Sequence, residues 1–321
     1  MGSIGVIGCG AWATTIAKVL AENNQITRIW CHRREYVTAI NSGHMNSLAL
    51  PNILLPPALV ATSDPAEIAE CADWIVCIPS KFFSSLNQFI PHSSNKKILS
   101  LVKGIPSDSF TPASETIESL FNTPKIAVLS GPNLAAELSQ KKPAASVVAS
   151  SDSNLADHFQ SLLSNDYFRI YTSTDRRGVE LGGILKNIYA IGAGIVDGLA
   201  LGANAKSALL SRSVNEMSRI LGLFGANSST CYGLSGIGDL VATSYSNTSR
   251  NWQFGFGLTQ SHQPTINGIV EGERTLKCLI HSIPMPSVTA PIAESLHTII
   301  SGNVDIKTAI DHLFARRLTA E

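Results

Sequence analysis

Residues 4–13 read Ile4-Gly5-Val6-Ile7-Gly8-Cys9-Gly10-Ala11-Trp12-Ala13, and the fold follows from how this stretch is taken. Its first four residues suit a short buried strand. A glycine turn comes next, and residues 14–22 continue as a helix. Strand, glycine turn and helix in that order give a G-x-G-x-x-G/A pattern its meaning. Gly8 permits the tight turn, Gly10 lets a pyrophosphate approach the backbone, and Ala13 allows helix and strand to pack closely. The free N–H groups at the helix start, from Ala11 onward, then face an anion. The reading is a dinucleotide site; the alternative is an ordinary glycine-rich turn.

The same organisation extends through the first half of the chain. Apolar runs at 26–30, 74–78, 98–102, 126–129, 146–149 and 168–171 are separated by helical segments, which predicts a mostly parallel sheet covered on both faces. The polar turn 172–178 ends this pattern. Beyond it, 179–197, 207–224 and 291–301 show helical spacing. The fold class is therefore α/β: an N-terminal Rossmann-type domain over 1–177 and an all-helical domain over 178–321. Segments 41–57, 227–238 and 261–268 read as loops.

Composition narrows the function. The chain has 321 residues, 44% of them hydrophobic and 15% charged, with zero formal net charge, so no basic excess points to nucleic acid. The pairs Lys141-Lys142, Arg176-Arg177 and Arg316-Arg317 are isolated. No apolar run is long enough for membrane insertion. A strand beginning at residue 4 leaves no room for a signal peptide. Six cysteines without C-x-x-C spacing are expected as reduced thiols of a cytoplasmic protein. No histidine spacing predicts a metal site.

In an open parallel sheet, ligands lie beyond the strands' carboxyl ends. Those ends read Trp30-Cys31-His32-Arg33-Arg34, Pro79-Ser80, Lys103-Gly104 and Ser130-Gly131-Pro132-Asn133. Arginines rather than an acid after the second strand favour a 2′-phosphate, hence NADPH over NADH. One cation and small polar groups after the later strands suit a small anionic substrate. In the helical half, Lys186 lies among Ile184, Leu185, Ile188 and Ile191, with Gly182, Gly183, Gly192 and Gly194 nearby. Such glycines admit another backbone. Lys186 either snorkels outward or acts as an acid–base group, its ammonium made more acidic by a neighbouring cation. Gly236-Ile237-Gly238-Asp239 and Ser249-Arg250-Asn251 read as a turn and a capped helix, or as phosphate-binding groups with Arg250 as the fork.

Taken together these motifs resemble the bacterial-type NAD(P)-dependent sn-glycerol-3-phosphate dehydrogenases. The matching stretches are Gly8-x-Gly10-x-Trp12, Pro79-Ser80, Val102-Lys103-Gly104, Ser130-Gly131-Pro132, Lys186-Asn187, Gly202-Ala203-Asn204-Ala205-Lys206, Gly238-Asp239-Leu240, Ser249-Arg250-Asn251 and Val270-Glu271-Gly272, in family order along nearly the whole chain. The resemblance implies interconversion of dihydroxyacetone phosphate and sn-glycerol 3-phosphate, a phosphorylated small-molecule partner, a supply of product to phospholipid synthesis, and a cytoplasmic homodimer. It implies Lys186 as proton donor and acceptor. Substrate contacts would come from Lys103, Gly131, Asn133, Asp239, Ser249, Arg250 and Asn251. Cofactor contacts would come from Trp12, His32, Arg33, Ala135, Ile269 and Glu271, with Lys103 and Arg250 also near the cofactor. The chain departs from the family at Ala13, usually Gly, and at Asn133, usually Ser or Thr. Two rival readings are another two-domain hydroxyacid dehydrogenase, with Arg250 on a carboxylate, and a non-catalytic dinucleotide sensor.

Overall fold

The computed structural model describes residues 2–86, 96–123, 125–260, 268–283 and 290–315. They fall into two compact units, one spanning Met1–Pro106 and Thr111–Glu180, the other Ser107–Phe110 and Leu181–Glu321. The loop expected at 261–268 lies outside the described residues except for Gly268, as does the pair Arg316-Arg317.

The first unit is built on an eight-stranded sheet. Its strands are β1 (Ile4–Ile7), β2 (Thr27–Trp30), β3 (Leu59–Thr62), β4 (Asp73–Val76), β5 (Lys97–Ser100), β6 (Ile126–Ser130), β7 (Ala144–Ala149) and β8 (Phe168–Ser173). They lie in the order β3-β2-β1-β4-β5-β6-β7-β8. Neighbours run parallel, apart from the antiparallel β6–β7 pair. Because β1 lies between β2 and β4, the strand order reverses there, and that is where an open sheet leaves a crevice for a ligand.

Both faces are covered, as continuous apolar strands require. Val6 and Ile29 join one cluster with Ile16 and Leu20 of α1 (Ala11–Glu22). Ile7 and Trp30 join another around Trp74 and Phe121. The Trp74 ring meets Phe121 edge-on at 5.3 Å, and its indole N–H donates to the Ile68 carbonyl at 2.9 Å. Each fully buried large apolar side chain contributes about 1.5–3 kcal/mol.

Strand β3 is an addition to the expected set. It is a four-residue edge strand with Val60 45% exposed, too short for its alternation to stand out between Pro57 and Pro65. Its backbone is tied from α2 (Arg34–Gly43), where the Asn41 side chain both donates to and accepts from Ala61 at 2.8 Å. Residues 41–43, expected as loop, therefore end a helix. The remaining helices of this unit include α3 (Pro65–Ala69), α4 (Ala113–Phe121), α5 (Ala135–Ser139) and α6 (Ser153–Leu163).

Among the described residues the second unit's regular structure is helical. The long α7 (Arg176–Gly198) crosses from one unit to the other by sequence, since Glu180 closes the first. By length and composition it would pass for a membrane span, but 94% of its most apolar stretch is buried inside the protein. It is followed by α8 (Gly202–Leu223), a 3-10 turn (Ser228–Tyr232), a π turn (Leu234–Gly238), α9 (Asp239–Ser244), α10 (Arg250–Leu258), α11 (Glu271–Ser282), α12 (Pro291–Ile300) and α13 (Ile306–Phe314). The 227–238 stretch, expected as loop, is thus helical of the tight and wide kinds. Gly238 N–H reaches back to the Gly233 carbonyl at 3.2 Å, and serines and glycines there offer no apolar period to read.

Helices meet through bare backbone. A methyl at Gly194 would collide with the Trp252 carbonyl, and one at Gly255 with the Ile191 carbonyl. A methyl at Gly182 would sit 3.0 Å from the Ser235 carbonyl oxygen, and one at Gly272 only 2.5 Å from that of Asn187. The expected backbone approach therefore holds at Gly182 and Gly194, whereas Gly192 faces the side chains of Leu209 and Leu296. The segment Ser107–Phe110 joins this unit by packing: the Phe110 ring lies tilted against that of Phe224 with centroids 4.7 Å apart, and the Phe110 N–H donates to Ser282 Oγ at 3.3 Å.

Candidate active site

Three groups of side chains and backbone carry the expected site residues, two in the first unit and one in the second.

The first lies after β1 and β2. Gly8 has φ +118°, and a methyl there would collide with the Cys77 carbonyl, so only glycine fits. Gly10 precedes α1 as its N-cap, with no side-chain cap and nothing within 4 Å of where a Cβ would stand. A cradle open at the N-terminus of a twelve-residue helix suits a pyrophosphate on the N–H groups of Ala11, Trp12 and Ala13. Ala13 is fully buried in the sheet–helix core, so its methyl is accommodated. Trp12 Nε1 is buried and lacks a hydrogen-bond partner among the described residues. The His32 ring stands 6.0 Å from that of Trp30. Arg33 is exposed; it pairs with Glu35 at 3.2 Å, donates to Tyr36 Oη at 2.7 Å and lies over the Tyr36 ring. The guanidinium is thus held just after β2, with the Glu35 carboxylate against it.

Sequence reasoning missed Asn46. It is fully buried and its Nδ2 donates to the Cys9 carbonyl at 2.9 Å and to Thr14 Oγ1 at 2.8 Å. A lone asparagine in a stretch read as loop gives no pattern from which to find it.

The second group lies after β5 and β6. Lys103 Nζ and Asn133 Nδ2 both donate to the Gly131 carbonyl, each at 3.0 Å, and Ser146 Oγ donates to Asn133 Oδ1 at 2.7 Å. Gly131 has φ +150°, and a methyl there would lie 2.9 Å from Ser146 Cα. Asn133 therefore spans from its own turn to β7, which its longer amide side chain can do. Ala135 opens α5, and its carbonyl accepts from Thr15 of α1 at 3.3 Å, linking this group to the first.

The third group belongs to the second unit. Lys186 is 7% exposed, and its ammonium donates to Asp239 Oδ1 at 2.9 Å and to Thr243 Oγ1 at 2.5 Å. Nζ is therefore paired with the Asp239 carboxylate. On α7 the next residue, Asn187, accepts from Asn251 Nδ2 at 2.9 Å, and Asn251 Oδ1 in turn accepts the Gly272 N–H at 2.9 Å. This bond sets the start of α10 against the middle of α7 and the start of α11. Residues 186–187, 250–251 and 271–272 come together there, with Ile269 and Glu271 just before and at the first turn of α11. Ser249 caps α10 by accepting the Trp252 N–H at 3.3 Å. Arg250, the first residue of that helix, is exposed and makes no hydrogen bond or ion pair among the described residues.

Family models of the NAD-dependent glycerol-3-phosphate dehydrogenases match the chain at both ends, the N-terminal one over residues 3–156 and the C-terminal one over 175–311. The chain belongs to the NAD-dependent glycerol-3-phosphate dehydrogenase family. A glycerol-3-phosphate dehydrogenase [NAD(P)+] of Halorhodospira halophila is 37% identical to it, over 99% of this chain and 98% of that relative. One of Maridesulfovibrio salexigens is 39% identical over 99% of both. A glycerol-3-phosphate dehydrogenase crystal structure from Coxiella burnetii superimposes with a TM-score of 0.89 at 32% identity, covering 98% of this chain and 99% of that one.

Within this glycerol-3-phosphate dehydrogenase fold, Thr243 is the partner of Lys186 that motif reading passed over. Asp239 and Thr243 are four apart on α9, so both face Lys186 from one side of the helix. That i,i+4 spacing was available in the sequence. Asn187 was noted only as part of a motif; its part is to hold Asn251.

Proposed function

We infer that the protein is an NAD(P)-dependent oxidoreductase interconverting dihydroxyacetone phosphate and sn-glycerol 3-phosphate. The domain over 1–177 holds the dinucleotide and the helical domain over 178–321 supplies the acid–base and phosphate-binding groups. The observation that supports this most is the buried Lys186–Asp239–Thr243 cluster, one residue along the chain from the Asn187–Asn251 bond that fixes the chain neighbour of Arg250.

Gly8, Gly10 and the first-turn N–H groups of α1 would hold the pyrophosphate, with Trp12, His32, Arg33, Ala135, Ile269 and Glu271 along the rest of the dinucleotide. Arg33, which pairs with Glu35, favours NADPH. The bound nicotinamide supplies the hydride for C2 of the substrate. Lys186, as ammonium, stabilises the negative charge growing on the C2 oxygen and gives it the proton; in the reverse direction the amine takes that proton back. Asp239 and Thr243 fix where Nζ points, so no reorientation is needed when charge develops. Arg250 forks onto the phosphate with Ser249 and Asn251 beside it, and Lys103, Gly131 and Asn133 bind the polar remainder. Gripping the phosphate orients the carbon to be reduced.

A homodimer in a reducing, cytoplasmic setting accords with this reading and with six free cysteines; light scattering tests the dimer. The direct test of function follows nicotinamide absorbance with dihydroxyacetone phosphate and either NADPH or NADH. Oxidation of the dinucleotide that depends on the phosphorylated ketone, faster with NADPH, is expected. Dinucleotide binding without turnover would leave the sensor reading instead.

A further inference from the structure

The glycine turn after β1 is held at its two ends by backbone and in its middle by side chains. At the start, the Gly8 N–H donates to the Trp30 carbonyl at 3.2 Å. At the end, the Gly10 carbonyl accepts the Thr14 N–H of α1 at 2.9 Å. Between them lies the Cys9–Gly10 peptide, and no backbone N–H among the described residues donates to its carbonyl. That oxygen accepts instead from Asn46 Nδ2 at 2.9 Å and, at the longer distance of 3.5 Å, from Thr14 Oγ1. Asn46 Nδ2 also donates to Thr14 Oγ1 at 2.8 Å, which closes the three groups into one knot.

A peptide in this position can turn over unless something holds it. Turning its plane changes ψ of Cys9 and φ of Gly10 together and moves little else. Gly10 would pass from φ −68° into the positive range, where glycine meets no steric penalty. The residue that admits a pyrophosphate therefore also leaves the peptide before it without a preferred face.

We propose that Asn46 is a positioning residue for the dinucleotide: by holding the Cys9 carbonyl it keeps the Cys9–Gly10 peptide from turning over, so that the Gly10 N–H and not a carbonyl oxygen meets the pyrophosphate. The proposal rests on the dinucleotide reading of that loop. In a trans peptide the C=O and N–H point opposite ways. With the carbonyl turned to Asn46, the Gly10 N–H points away from it, and no group among the described residues accepts that N–H. The overturned plane would aim an oxygen at the anion and repel it.

Asn46 has a firm footing for this. The strap 44–55 is closed by the Met45–Leu54 bridge and by the Leu55 N–H on the His44 carbonyl at 2.8 Å. Inside it the Asn46 carbonyl accepts the Leu50 N–H at 2.7 Å, and both Leu50 and Leu55 are buried. Asn46 is itself fully buried, and its Oδ1 has no partner among the described residues. An unpaired buried oxygen is destabilising. The amide is thus present for its two donors, both of which are spent on the turn and on Thr14.

Cys9-Gly10 is the one Cys-Gly dipeptide in the chain. The full-length protein, isotope-labelled at the cysteine carbonyl carbon and the glycine amide nitrogen, therefore gives a single carbonyl–amide NMR correlation that reports this peptide. The parent is compared with N46L, which keeps a similar shape and has no donor, and both are titrated with NADPH. In N46L the signal is expected to shift or to split between two orientations, and saturating NADPH draws it to the position of the NADPH-bound parent. The apparent NADPH dissociation constant rises by the inverse of the competent fraction, about threefold to tenfold for loss of one neutral hydrogen bond. KM for NADPH rises with it while kcat holds; a merely structural role would lower thermal stability and leave the affinity of the folded protein alone. T14V keeps the Asn46–Cys9 bond, moves both readouts the same way by less, and takes the place of N46L if that variant does not fold. An unmoved signal overturns the proposal, whatever the affinity does. A moved signal with unchanged NADPH affinity overturns the bearing on the dinucleotide. If the parent itself binds no dinucleotide, the functional reading falls and that bearing with it, while the signal still decides whether Asn46 holds the peptide.

Discussion

Lys103 and Lys186 both stand among site residues, but they are held differently. In the first unit Lys103 donates to a neutral backbone carbonyl and remains half-buried. In the second unit Lys186 donates to a carboxylate and a hydroxyl, and Asp239 is itself only 2% exposed. A partly hydrated ammonium needs only a neutral acceptor. A buried one is tolerated only when a buried anion matches it, and removing either partner leaves the other without compensation. Under the proposed function, stability and chemistry in the helical unit would depend on the same atoms, and in the sheet unit they would be separable.

The sharpest test of that contrast is K186M. It is expected to lower turnover about 10²-fold or more through loss of the proton donor. It is also expected to cost about 3–5 kcal/mol of stability by stranding Asp239. The double variant K186M/D239N should regain most of the stability in urea unfolding and none of the turnover; a K186M protein as stable as the parent would break the contrast. Arg250 lies in the same unit but is exposed, so R250A should leave stability within about 0.5 kcal/mol. Losing a charge-assisted fork should raise KM for the phosphorylated substrate about tenfold to a hundredfold, with little change for unphosphorylated dihydroxyacetone. Equal loss with both substrates would remove Arg250 from phosphate binding. The smallest effect is expected in the sheet unit. R33A removes an exposed charge, and the NADPH-to-NADH preference should fall by up to about fivefold, with thermal stability unchanged; an unaltered ratio would detach Arg33 from cofactor choice.

What could be read in the sequence divides along physical lines. The β1–glycine–α1 unit was legible because three requirements fall within ten residues: an apolar strand, turn glycines and a helix start. Strands β4, β5 and β6 were legible because they are apolar on both sides. Strand β3 was not, since an edge strand with one exposed residue in four carries little apolar signal. The reversed β6–β7 pairing was not legible either, because apolar runs look alike in both directions. Within the site, Lys186 and Arg250 announced themselves by charge in motifs. Thr243 did not, because its contact with Lys186, 57 residues away, is made by helix packing and not by local spacing. The parts played by Asn46 and Asn187 escaped for the same reason: both hold groups far away in sequence.

The glycine seam of the second unit has a consequence for how this enzyme can change. At Gly194, Gly255 and Gly272, where α7 meets α10 and α11 through bare backbone, there is no side chain to trim or exchange, so drift at those positions has no small steps: each substitution is an addition against a carbonyl. Variation must accumulate on the outer faces of the same helices. The spacing that sets Asn187 against Asn251 is thus inherited as a fixed dimension, and new substrate preferences would have to arise from the residues standing on that frame.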